Sequence, residues 1–175
     1  MTVQTKTKLK RYAVYGVIIL LAHIFQNILT IFPEIASVRP VLLISVALCI
    51  AMFEGEVVGA VAGLLSGALW DTFTVTADGY NALYLMVACA VCGVLLRIFM
   101  RNNIITYIMM NTGFTMLYFL SYVLFFITAR GVDGGAEMLL RYYLPMGIYS
   151  LVFTPFWYVI IRAVNRKFSF NYTEY

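Results

Sequence analysis

The strongest constraint on this chain is a set of apolar stretches that fill nearly all of it, at about 12–32, 38–53, 56–74, 80–99, 104–128 and 142–163. An α-helix needs about 20 residues to cross the roughly 30 Å hydrocarbon core of a bilayer. Six crossings would take roughly 120 residues, which leaves only short loops and small tails in a chain of 175. Composition agrees. Hydrophobic residues make up 63% and charged residues 11%, whereas a water-soluble domain is about 25% charged. Too little polar surface exists to cover a globule in water. The expectation is one all-α integral membrane domain over 1–175, a six-transmembrane-helix bundle with tails at 1–11 and 164–175 and no separate soluble domain.

The basic start before the first stretch resembles a secretory signal. The apolar run continues to Phe32, however, and no clear A-x-A site follows, so a retained first helix is expected. Pro40 falls in the first turn of the expected second helix, where a missing N–H costs little. Only Glu54, Gly55 and Glu56 separate the second and third stretches. That pair reads either as two full spans joined by a tight turn or as a re-entrant hairpin.

Charge orients the bundle. With six spans, Lys6, Lys8, Lys10, Arg11, Arg97, Arg101, Arg162, Arg166 and Lys167 share one side, and Arg39, Arg130 and Arg141 share the other. The positive-inside rule puts the first group, and both termini, on the cytoplasmic side of the membrane. Attraction to anionic lipid then accounts for the net charge of +4 with no nucleic acid as partner.

The segment "EGEVVGAVAGLLSGALWDTF" carries a glycine at every fourth position, Gly55, Gly59, Gly63 and Gly67, and then Asp71. Lipid tails are as apolar as leucine, so close backbone contact must supply the attraction between helices, and small residues permit it. At four-residue spacing the glycines form one slowly drifting ridge. The ridge can pack inside the chain or against a partner's helix. Asp71 is either a helix-end residue in the outer headgroup layer or a hydrogen-bond anchor for "DTFTVTADGYNAL". In that loop Gly79 permits a turn, and Asn81 can cap the fourth helix or bond to Asp71.

The stretch 40–83, with its proline, "FEGEVVGAVAGLLSGALWDTF" and "GYNAL", resembles the MreD family of the bacterial rod-shape system. The resemblance implies a bundle similar to the substrate-binding subunits of energy-coupling-factor transporters. It implies a non-enzymatic scaffold in cell elongation and peptidoglycan synthesis that binds MreC, with MreB, RodA and the elongation transpeptidase as further associates. It carries over Pro40, Gly55, Gly59, Gly63, Gly67, Asp71, Gly79 and Asn81 as structurally important positions, and no catalytic residue. Glu54 and Glu56 depart from a basic inner turn.

Other constellations are weaker. His23, Gln26 and Asn27 share one face of the first helix. They serve either interhelical hydrogen bonds or the polar wall of a ligand cavity. The cavity would suit the alternative function, a vitamin-binding subunit of an energy-coupling-factor transporter, although "YAVYGVIILLAH" lacks that class's alanine ladder. Cys89 and Cys92 form a C-x-x-C in mid-helix without a second pair, which reads as apolar filler, as does Cys49. Scattered acids, with no nucleophile elbow or phosphate loop, give no basis for an enzyme, a cofactor or a metal. Tyr142, Tyr143, Trp157 and Tyr158 suit interface belts or helix packing.

Overall fold

The computed structural model describes residues 3–27, 40–74, 79–98, 102–131 and 135–170, and among them every regular element is a helix. In chain order these are α1 (Val3–Asn27), α2 (Leu42–Glu54), α3 (Glu56–Asp71), α4 (Tyr80–Ile98), α5 (Ile104–Tyr122), the single turn α6 (Gly135–Met138) and α7 (Leu144–Phe170). A π-helical turn, Val123–Ile127, and a 3-10 turn, Thr128–Arg130, prolong α5. A second π-helical turn, Leu139–Tyr143, leads from α6 into α7.

Four segments are long and apolar enough to cross a membrane: Thr7–Asn27, Tyr80–Ile98, Ile104–Ile127 and Leu139–Phe168. The α2 and α3 helices have 13 and 16 residues. At 1.5 Å per residue they reach roughly 20 and 24 Å, less than the roughly 30 Å of hydrocarbon. As helices alone they therefore fall short of two full spans, one of the two readings of this pair, and a single residue, Gly55, joins them. The reason lies in what surrounds α2. Every residue from Val41 to Met52 is buried. A helix end can stop at membrane depth only where protein supplies partners for its open N–H groups.

Those partners are present. Gln26 Oε1 on α1 accepts the amides of Leu42 and Leu43 at 2.9 and 3.1 Å. Ser150 Oγ on α7 accepts the amide of Val41 at 2.7 Å. Pro40 consequently lies before the extended cap residue Val41 and not in the first helical turn. The helix begins where α1 and α7 can receive its donors. Two further boundaries move outward: α1 starts at Val3 and α7 continues to Phe170. Lys, Leu, Gln and Arg are good helix formers, so the polar flanks continue the helix beyond the apolar run. Residues 28–39 with Arg39, 75–78 and 99–101 with Arg101 lie outside the described residues, as do the side chains of Lys6 and Arg130.

The core is organised around α2. Tyr15, Ile19 and Ala22 of α1, Leu85 and Cys89 of α4, Tyr107 and Phe119 of α5, and Trp157 and Ile161 of α7 are all buried in one cluster with it. The opposite faces carry Val61, Leu65, Val87, Leu117, Leu120 and Val152, all exposed. This inside-out pattern is stable only where lipid is the solvent.

Candidate functional site

Gly55 ends α2 and opens α3. Its φ of 86° lies in the left-handed region, where a side chain is strained and glycine is not. One residue thus reverses the chain. The two legs of the hairpin touch at once: a Cβ placed on Gly59 would stand 2.5 Å from Ala51 Cβ.

Beyond Gly59 the glycine edge turns to α4. A Cβ on Gly63 would overlap the backbone carbonyl of Leu85 and stand 3.0 Å from Cys89 Sγ. One on Gly67 would overlap the Asn81 carbonyl and the Ala82 backbone. The fourth helix answers in kind, since a Cβ on Gly93 would stand 2.6 Å from the backbone N and Cα of Glu56. The ridge is therefore consumed inside the chain, backbone against backbone. What α3 offers outward is the opposite face, with Val57, Val61, Leu64 and Leu65 exposed. A groove of about 260 Å³ between α1 and α3, lined by residues including Tyr12, Gly16, Val57 and Val61, is apolar.

Asp71 joins the end of α3 to the start of α4. Its Oδ2 accepts the amide of Ala82 at 2.9 Å and its Oδ1 that of Asn81 at 3.3 Å. These are two of the open N–H groups at the start of α4, the same groups that a capping side chain in the loop would take. Asp71 thus caps the next helix from the end of the previous one, and its charge faces the positive end of the α4 dipole. Gly79, at φ 79°, makes the turn, and its carbonyl receives the amide of Leu83 at 3.1 Å.

Asn81 is fully buried. Its Oδ1 accepts the Tyr118 hydroxyl at 2.6 Å and its Nδ2 donates to Thr74 Oγ1 at 3.4 Å. Its side chain therefore ties α4 to α5 while its backbone is held by Asp71. Around this point Trp70, Tyr80, Tyr84, Tyr118 and Tyr122 stack with ring centroids 5.2 to 6.2 Å apart. We predict that Asp71→Ala lowers the free energy of unfolding in detergent by about 1 kcal/mol, the usual worth of a cap. Asp71→Asn, which keeps an acceptor, should retain most of it.

The turn of the α2–α3 hairpin carries two ion pairs. Glu54 Oε2 receives Arg11 Nη2 at 2.7 Å, and Glu54 Oε1 receives the Tyr15 hydroxyl at 2.9 Å and Asn165 Nδ2 at 3.2 Å. Glu56 Oε1 receives Arg97 Nη1 at 2.7 Å. Asn102 Nδ2 donates to the Met52 carbonyl at 3.1 Å. The start of α1, the end of α4, the start of α5 and the end of α7 thus meet the α2–α3 turn at one end of the bundle. The two acids that depart from a basic turn are the counter-charges of Arg11 and Arg97. Sequence reasoning flagged these acids without finding their partners. Two of the four segment ends bring a basic residue to the turn, Arg11 and Arg97, and two bring an asparagine, Asn165 and Asn102.

Of the His23–Gln26–Asn27 face, Gln26 makes the hydrogen bonds to another helix. Gln26 caps α2, Asn27 Nδ2 donates to the His23 carbonyl at 2.9 Å, and the His23 ring lies 5.1 Å from that of Phe73. Cys49, Cys89 and Cys92 are buried free thiols. Among the described residues no three His, Cys, Asp or Glu side chains gather where they could hold a metal ion.

These features define an all-helical, multi-pass membrane protein whose conspicuous residues knit helices together. The sequence model of the rod shape-determining protein MreD matches residues 8–134. That is well over half of the chain, and the protein belongs to the MreD family. A role in rod-shape determination at the cell membrane comes with that membership. No curated protein and no solved structure matches the chain.

Proposed function

We propose that this chain is a non-enzymatic scaffold of the bacterial cell-elongation machinery, with MreC as its principal partner. MreB, RodA and the elongation transpeptidase are reached through the same assembly, and peptidoglycan synthesis is supported by holding these parts together. One observation carries the reading. Of the eight positions that the family resemblance singles out, Gly59 packs α3 against α2, Gly63 and Gly67 pack it against the backbone of α4, and Asp71 caps α4 at Asn81 and Ala82. A rigid corner of this kind suits a protein that positions others. The orientation proposed has both termini cytoplasmic, so that the Glu54–Gly55–Glu56 turn faces inward and the Asp71 corner outward. The layout is the one implied by the likeness to energy-coupling-factor binding subunits. A vitamin-binding role is the weaker alternative, because the polar face it would need already caps α2.

The test is copurification from bacterial membranes. Wild-type chain should recover MreC, and Asp71→Ala, which leaves the glycine seam in place, should recover several-fold less at equal membrane abundance. Undiminished recovery by a folded Asp71→Ala would remove the outer corner from the interface. Failure of the wild type to recover MreC would overturn the proposal itself.

A further inference from the structure

Among the described residues six buried side-chain polar atoms lack a protein partner, and three of them, Ser45 Oγ, Asn111 Oδ1 and Thr115 Oγ1, belong to the seam where α5 meets α2 and α7. Tyr107, Asn111 and Thr115 recur at four-residue spacing on one face of α5 and are 1%, 0% and 2% exposed. The Tyr107 hydroxyl donates to the Ser45 carbonyl of α2 at 2.6 Å. Asn111 Nδ2 donates to Thr154 Oγ1 of α7 at 2.9 Å. Thr154 Oγ1 donates in turn to the Ser150 carbonyl at 3.4 Å. This face of α5 therefore meets both α2 and α7, and its network ends on groups without a protein partner: Asn111 Oδ1, Thr115 Oγ1 and Ser45 Oγ. Exchanging the amide O and N of Asn111 does not help, because one of the two still lacks a partner.

We propose that this three-helix seam holds a buried water molecule bridging Asn111 Oδ1 and Thr115 Oγ1. Side chains four residues apart on a helix have Cβ atoms about 5–6 Å apart, a gap that two hydrogen bonds through one oxygen, each about 2.8 Å, can span. Unpaired polar groups at membrane depth cost several kcal/mol each, and buried waters sit where such groups converge. The ligand is water and not a cation on two grounds. The donor set is neutral, with no carboxylate in 41–45, 107–115 or 150–154. The N-terminus of α2, the positive end of its dipole, also lies at this level, held by Ser150. Water can donate to the amide oxygen and still accept from the threonine hydroxyl.

Two experiments test this. A structure of the full chain in lipid nanodiscs, at a resolution that reveals ordered water, should show density within about 2.6–3.2 Å of both atoms. Absence of that density, where other buried waters are visible, overturns the proposal. In thermal unfolding, Thr115→Val should lower the midpoint by several degrees, because it leaves Asn111 Oδ1 alone. The double variant Asn111→Leu/Thr115→Val removes both groups and should recover at least half of that loss. Additive losses in the double variant overturn the bridge. A midpoint that rises when Na⁺ replaces choline at equal ionic strength places a cation there and overturns the choice of water.

Discussion

Replacing Glu54 by alanine will lower the stability of the bundle by about 3–5 kcal/mol, the cost of stranding one member of a buried ion pair. The side chains concerned are 4% and 14% exposed for Glu54 and Arg11. Arg11 Nε is buried with no other acceptor, so the charge left behind has little recourse to water. The same carboxylate also receives Tyr15 and Asn165, which makes it the point where α1, α2 and α7 are held at one end. Removing the glutamate therefore frees three elements at once. The check is a double-variant cycle read by thermal or denaturant unfolding in a mild detergent. Arg11→Met alone should cost less than Glu54→Ala, because a carboxylate at the bundle's end keeps Tyr15 and Asn165. Arg11→Met combined with Glu54→Leu should return much of the loss, because well-packed apolar pairs replace buried ion pairs at little or no cost. The surface pair Arg97–Glu56, 74% and 32% exposed, provides the contrast. Breaking it should cost far less than breaking the Glu54 pair, because exposed ion pairs are screened by solvent. Equal losses at the two pairs would show that burial does not govern the Glu54 site.

The two pairs also mark how far the sequence could be read. Hydrophobic run lengths are enough to find the helices. The glycine spacing was legible as a close-packing edge, because four-residue periodicity is a local property of one helix. Which helix receives that edge is not local. It depends on the one-residue turn at Gly55 and on Gly93 of α4, whose lone glycine carries no periodic signal. Where α2 starts is not local either. Its residues are as apolar as those of a spanning helix, and only Gln26 and Ser150, from 16 and 109 residues away, decide where its first turn forms. For Asp71 the sequence leaves a headgroup-layer helix end and an anchor both open, and its capping of α4 depends on the three-dimensional return of the chain. Asn81 meets Asp71 through its backbone amide and spends its side chain on Thr74 and Tyr118.

Adding a single methyl group at Gly63 or Gly67 should be among the most damaging small substitutions in this protein. In each case the new Cβ would meet the backbone of α4, which cannot rotate away as a side chain can. Either the helices separate or the carbonyls bend, and overpacking of this kind costs about 1–3 kcal/mol. Gly67→Ala should be the worse of the two. Its Cβ lands on the Asn81 carbonyl and the Ala82 backbone, the same residues whose amides Asp71 holds, so the cap fails together with the seam. Gly67→Ala combined with Asp71→Ala should consequently cost less than the sum of the two, since contacting sites share their loss. The matched controls are Gly16→Ala and Gly113→Ala. Both positions lie within helices and have nothing within 4 Å of a new Cβ. Each should be neutral or stabilising by up to about 1 kcal/mol through helix propensity alone. Unfolding midpoints of the four variants in one detergent decide the matter. A loss at Gly63 and Gly67 no larger than at Gly16 and Gly113 would mean that α3 and α4 are not in backbone contact, and the rigid corner on which the scaffold reading rests would go with it.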